Sequence, residues 1–195
     1  MVMTFDGLPP ESWHEELASQ SEWNVRHLLA AFSVFGIPKS LLDVGCGDGT
    51  MVNAARALGC EAFGVDQLVQ PDWGKHFFHK NLVDLFLLPD GRQVEQVWCL
   101  EVAEHLHESA HSILCDTLHQ NLAPGRGNFL IFSAAYPNQG GMGHVSERPF
   151  RYWMDELSLR GFNFRKDLTV QLSLLWSNIF SPLYWLANNV GVFEK

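Results

Sequence analysis

Two rhythms of apolar and polar positions alternate along this chain. Short apolar runs bounded by turn residues read as buried strands at 40–44, 61–65, 76–79, 94–100 and 128–133. Between them the apolar spacing becomes helical. Leu17, Val25, Leu28, Leu29 and Phe32 mark one or two helices over 9–35, with Pro9 and Pro10 at the start and Gly36 and Pro38 at the end. A short helix over 50–58 stops at Gly59, and another over 109–122 carries Ile113, Leu114, Leu118 and Leu122 before Pro124-Gly125 breaks it. A third spans 149–160, with Pro149 at its start and Gly161 beyond its end. The remainder reads as two strands, near 164–172 and 190–193, joined by an aromatic connection. Strands alternating with helices predict an α/β fold with a mostly parallel sheet, and the closely joined final pair predicts one antiparallel strand at an edge.

The 195 residues suit a single domain, large enough to hold a core without disulfide or metal. Hydrophobic residues at 47% and charged residues at 18% exclude a disordered or coiled-coil chain. Thirteen Lys and Arg against 22 Asp and Glu give a formal charge of −9, which makes a nucleic-acid partner unfavourable. Cys46, Cys60, Cys99 and Cys115 match no zinc spacing and read as reduced thiols of a cytoplasmic protein. The N-terminus lacks the basic and apolar regions of a signal peptide. Residues 168–193 carry no charge, but polar residues and Pro182 interrupt them too often for a transmembrane helix.

The most informative segment is LLDVGCGDGT, residues 41–50. An apolar strand runs into Gly45-x-Gly47-x-Gly49 and then into a helix, a pattern that lets the backbone turn sharply and approach a ligand. Asp66 ends the next strand 21 residues after Gly45, where a carboxylate can accept both hydroxyls of a ribose. A dinucleotide fingerprint would place its third glycine at position 50, which is Thr50 here.

With Asp43 two residues ahead of the first glycine, the segment resembles the first motif, D-x-G-x-G-x-G, of the class I S-adenosylmethionine-dependent methyltransferases. The resemblance extends over about residues 36–193. It implies a Rossmann-like three-layer sandwich with a seven-stranded, mostly parallel sheet and one antiparallel edge strand. It also implies a single domain, with a helical cap at 1–36, a cofactor-binding half at 37–135 and a substrate-side half at 136–195. Asp43, Gly45, Cys46, Gly47 and Gly49 would then line the methionine end of S-adenosylmethionine. Asp66 would hold the ribose, with Gln67 beside the adenosine. Asp84 and Leu85 would meet the adenine, and Leu100 and Glu101 would sit near the reacting methyl.

Glu101, Glu104 and His105 form an E-x-x-E-H cluster just after the fourth strand. Two carboxylates and an imidazole suit either a divalent cation (Mg²⁺, Mn²⁺ or Zn²⁺) or a general base with its orienting partner. Similar motifs occur in ubiquinone-pathway O-methyltransferases and in small-RNA 3′-end methyltransferases, where they are associated with a metal and a further histidine. His144 holds a comparable place here. The candidate catalytic set is Glu101, His105 and His144; the candidate metal set adds Glu104.

Three segments could cover the acceptor: the N-terminal helix with Trp13 and Trp23, the glycine-rich loop 136–149, and the aromatic stretch with Trp176, Phe180, Tyr184 and Trp185. Arg148 and Arg151 could meet an anionic acceptor. The reading is therefore a methyltransferase acting on a small molecule at oxygen. An RNA 3′-end 2′-O-methyltransferase with a metal, and a non-catalytic cofactor-binding module, are the alternatives.

Overall fold

The computed structural model describes residues 11–179 and 181–195, with side chains from residue 19 onward. Pro9, Pro10 and Phe180 thus lie outside what is described, as does the side chain of Trp13. Helix α1 spans Glu11–Phe35, and β1 (Ser40–Val44) leads through the glycine loop into α2 (Thr50–Ala57). Strands β2 (Glu61–Asp66), β3 (Phe77–His79) and β4 (Gln96–Leu100) follow, then α3 (Glu108–Asn121) and β5 (Phe129–Ser133). The C-terminal part holds α4 (Phe150–Ser158), β6 (Asn163–Phe164), α5 (Lys166–Ser177), α6 (Tyr184–Asn189) and β7 (Gly191–Glu194).

The seven strands form one sheet in the order β3-β2-β1-β4-β5-β7-β6. Strands β1 to β5 pair in parallel, and β7 runs antiparallel to both β5 and the two-residue β6 outside it. The period-2 alternation of strand side chains sorts the core onto two faces. Leu42, Val97, Cys99, Leu130 and Phe132 meet α3 and α4 on one face through Leu114, Leu118 and Trp153. Leu41, Trp98, Ile131 and Val192 meet α1, α2 and α5 on the other through Phe32, Ala55 and Trp176. The result is a three-layer sandwich.

The sequence pattern misplaced one element. Leu168, Val170, Leu172 and Leu174 alternate as a strand would, yet they lie in α5. Leu172 and Trp176, four apart, are buried, whereas Val170 and Leu174 are 48% and 61% exposed. Trp176 anchors this face by donating from Nε1 to the carbonyl of His27 at 3.0 Å. Burial of one large side chain is worth about 1.5–3 kcal/mol, enough to override a weak local preference for strand.

The chain leaves β1 toward β2 on one side, while β4 pairs on the other. This reversal opens a crevice at the carboxyl ends of β1, β2 and β4, where open α/β sheets bind ligands. No helix among the described residues is long and apolar enough to cross a membrane.

Candidate active site

A cavity of about 600 Å³ occupies this crevice. Its floor is the turn after β1. Gly45 has φ +83°, and a Cβ there would lie 2.2 Å from Val102 Cγ2. The turn is fixed because the amides of Gly45 and Cys46 both donate to the Val65 carbonyl, at 2.8 and 3.2 Å. Gly49 serves a different purpose. It caps α2 at φ +75°, and a Cβ there would strike Phe77 at 2.6 Å, so this glycine packs the loop onto β3 and does not line the cavity.

Asp43, Asp66 and Asp48 supply three carboxyls to the wall. Asp43 is 3% exposed, and burial, with Asp66 and Asp48 nearby, raises its pKa to about 8. Asp66 accepts from the backbone amides of Gly47 at 3.0 Å and Leu68 at 2.9 Å, which ties the glycine loop to the end of β2. Burial raises its pKa although these bonds oppose the shift. Each carboxylate oxygen carries further lone pairs, so a ribose remains within its capacity. Asp48 receives a hydrogen bond from Ser21 on α1, and Gln20 and Asn24 of the same helix join the wall. The N-terminal helix thus closes over the glycine loop, through residues that no motif marks.

Cys46, Gln67 and Leu100 also line the cavity. Asp84 and Leu85 do not. They sit on an exposed turn with Asp84 paired to Lys80 at 3.2 Å, and the wall is formed by Asn81, Leu82 and Val83. The reading from sequence slipped by a few residues because this loop has no periodicity to set its register.

Beyond the loop lies the E-x-x-E-H segment. Glu101 adopts φ +54°, a conformation that side chains other than glycine rarely take. Its amide is held by the Ser133 carbonyl and hydroxyl, both at 3.1 Å. Its carboxylate accepts from Asn189 Nδ2 at 3.2 and 3.3 Å and from Gln139 Nε2 at 3.1 Å. Asn189 is 4% exposed and comes from the last turn of α6, more than 80 residues away, so the sequence could not assign it.

Glu104 is fully buried, and both carboxyl oxygens lie without a hydrogen-bond partner. Burial, reinforced by Glu101, pushes its carboxyl well above the usual range. Ligand atoms of Glu104, His105 and His144 all lie within 4.8 Å of one another. The structure therefore gathers three of the four candidate metal ligands, while Glu101 turns toward Asn189 and Gln139.

His144 owes its place to the glycine-rich loop. A Cβ on Gly141 would lie 2.3 Å from His144 Nε2, so only glycine leaves room for the ring. Glu147 holds the other nitrogen, Nδ1, at 2.9 Å. The same carboxylate accepts from the amides of Asn138 and Gly140, both at 2.7 Å. The loop is docked on the cluster by the amides of Val145 and Ser146, which donate to the Glu104 carbonyl at 2.9 and 3.0 Å. His105 packs edge-on to His144 at 4.9 Å, and burial lowers its pKa to about 4, so its imidazole is neutral at neutral pH. Arg148 and Arg151 instead pair with Glu108 and Asp155, and neither lines the cavity.

A family model described as a methyltransferase domain matches residues 17–166, more than half of the chain. The chain belongs to this methyltransferase-domain family. Its fold is that of solved S-adenosylmethionine-bound methyltransferases. No curated protein matches it in sequence. Solved structures share the methyltransferase's fold at low identity. The human N-acetylserotonin methyltransferase, in complex with S-adenosylmethionine, has a TM-score of 0.56 at 14% identity. That alignment covers 95% of this chain and 54% of the human one, so the methyltransferase spans about half of that protein. The 1,6-didemethyltoxoflavin-N1-methyltransferase of Burkholderia thailandensis gives a TM-score of 0.58 at 15% identity, covering 84% of each chain. The magnesium protoporphyrin IX methyltransferase of Synechocystis gives 0.56 at 16%, covering 96% of this chain and 84% of the other.

Proposed function

We propose that this methyltransferase moves a methyl group to a hydroxyl oxygen of a small-molecule acceptor, in a cytoplasmic setting that suits its four buried free cysteines. Residues 1–36 act as a cap, 37–135 as the cofactor-binding half and 136–195 as the acceptor half. The observation that carries the reading is the Glu147–His144 pair, which sits at the end of the same cavity that the glycine loop floors. S-adenosylmethionine supplies an electrophilic methyl sulfonium when bound. Asp66 holds the ribose, Asn81 to Val83 take the adenine end, and Asp43 faces the cationic methionine end. Glu147 keeps His144 oriented, and the imidazole takes the acceptor proton. Glu101 and the loop over 136–149 position the acceptor, which for a displacement at carbon accounts for most of the acceleration.

Isothermal titration with S-adenosylhomocysteine tests the cofactor assignment, and absence of binding at millimolar concentration would overturn it. Mass analysis of methylated products from paired hydroxyl and amine acceptors tests the site of transfer; methylation at nitrogen alone would overturn oxygen. Asp66→Ala should weaken cofactor binding by roughly one to two orders of magnitude, because a ribose-bound carboxylate makes charge-assisted bonds worth about 1.5–3 kcal/mol. An unchanged dissociation constant would remove Asp66 from the site.

A divalent cation at Glu104, His105 and His144 is a second reading, favoured by the buried carboxyl oxygens of Glu104 that find no partner. Two imidazoles and one carboxylate suit Zn²⁺ or Mn²⁺ better than Mg²⁺. The ion would polarise the acceptor hydroxyl. Titration of the chelator-stripped protein with Zn²⁺ or Mn²⁺ should then show one site, lost in Glu104→Gln, and chelation should stop methyl transfer while cofactor binding survives. Full activity in a chelator leaves His144 as a metal-free base.

A further inference from the structure

None of the thirteen Lys and Arg residues contributes to the cavity wall, whereas Asp43, Asp48, Asp66 and Glu101 all do. The bases nearest to it in sequence are engaged elsewhere: Arg26 with Glu22, Lys80 with Asp84 and Arg148 with Glu108. Residues 1–18 contain no Lys or Arg. A carboxylate or phosphate on an acceptor would find no Lys or Arg side chain on this wall to pair with.

The far end of the cavity has a definite composition. Tyr184 and Trp185, at the first turn of α6, line it, with ring centroids 5.3 Å apart in a T-shaped arrangement. Trp185 and Asn189 are four residues apart on that helix and so share one face, with Cβ atoms about 5–6 Å apart. Asn189 in turn holds the Glu101 carboxylate. One helix therefore gives Tyr184 and Trp185 to the wall and, through Asn189, holds the Glu101 carboxylate that also lines it. Both amides, from Asn189 and Gln139, donate to the Glu101 carboxylate and fix its place on the wall. A carboxylate beside aromatic faces is the chemistry that recognises an ammonium group.

We infer that the acceptor is a cationic, amine-bearing small molecule, whose ammonium is held by Glu101 and the Tyr184–Trp185 rim. This rests on the cavity being the methyl-transfer site proposed above. Acceptors bearing a carboxylate or phosphate are disfavoured, because no Lys or Arg on the wall can pair with them. Glu101 and the rim bind the ammonium and take no part in the bond changes, so the hydroxyl elsewhere on the acceptor remains the methylated group.

The test uses probes anchored in the cofactor site, so that no acceptor need be known. Aza analogues of S-adenosylhomocysteine are made with a nitrogen in place of sulfur, bearing a short alkyl arm that ends in an ammonium, a neutral hydroxyl or a carboxylate. Their affinities for the wild-type chain are measured by titration, with S-adenosylhomocysteine as reference. The ammonium arm should bind about tenfold or more tighter than the carboxylate arm of equal length, with the hydroxyl arm between them. The spread should shrink in about 1 M salt, where screening acts within about 3 Å. Glu101→Gln should narrow the gap between the ammonium and carboxylate arms at low salt. Equal affinities for the three arms, or a preference for the neutral or carboxylate arm, would overturn the inference while leaving methyl transfer in place. Failure of S-adenosylhomocysteine itself to bind would instead overturn the proposed function.

Discussion

Asp43→Asn should yield a protein that is more stable without ligand than the wild type and barely binds the cofactor. The buried Asp43 carboxyl has a pKa raised from 3.8 to about 8 by burial and by the neighbouring Asp66 and Asp48. The folded chain therefore keeps a proton on Asp43 that the unfolded chain has released. Between about pH 4 and pH 8 the native state binds more protons, so stability falls as pH rises through this window. The asparagine variant has no such group, and its advantage should be absent below pH 4 and grow toward pH 8. Near pH 7 the gain should be on the order of a few kcal/mol, or roughly 5–10 °C in melting temperature. Thermal melts at several pH values check this, and an advantage that shrinks with rising pH would refute it.

The functional side of the same substitution follows from charge. The proposed partner of Asp43 is the cationic end of the cofactor, and a cation favours the ionised carboxyl. Cofactor binding near pH 7 should therefore release a proton, seen as a binding heat that depends on the buffer's ionisation enthalpy. Asp43→Asn should remove both that dependence and about two orders of magnitude of affinity. A stability cost carried by the ligand-free protein is what a preorganised ionic site produces.

The second large effect is expected at His144. His144→Ala should lower kcat by roughly 10²–10⁴-fold, the usual contribution of a general base, while the dissociation constant for S-adenosylhomocysteine stays unchanged. Glu147→Gln keeps the loop length and much of the packing but weakens the bond that fixes His144 Nδ1, so a smaller loss is expected. Gly141→Ala should resemble His144→Ala, because its Cβ would occupy the space of the imidazole. Stopped assays that measure kcat and cofactor affinity separately distinguish these effects. Equal losses in both quantities would mean that the loop is only structural.

The alternation of short apolar strands with helices was legible from the sequence, and so was the D-x-G-x-G-x-G turn with Asp66 at the end of the following strand. These features are local. A strand that must be buried on both faces writes a continuous apolar run, and a tight turn writes its glycines. The motif therefore determined the fold class and the gathering of Asp43, Gly45, Gly47 and Asp66 on one cavity. The histidine in the later loop could also be picked out, because its residue type and chain order suffice to propose it.

Tertiary structure alone decided the rest. Residues 166–177 form a helix because Leu172 and Trp176 bury together against α1, a long-range gain that outweighs the strand-like alternation of their own segment. Asn81–Val83 line the cavity in place of Asp84 and Leu85, because an aperiodic loop takes its register from what it packs on. Gly49 proved to be a packing residue because β3, distant in sequence, brings Phe77 against it. Asn189 reached Glu101, and Glu147 fixed His144, through contacts that span a sheet edge or a loop and leave no spacing to read. Glu101 is thereby held by Asn189 and Gln139 and stands outside the group of Glu104, His105 and His144, although the four look like one cluster in the sequence. Local patterns specify which backbone can form; the partner each side chain meets depends on which distant elements the core brings together.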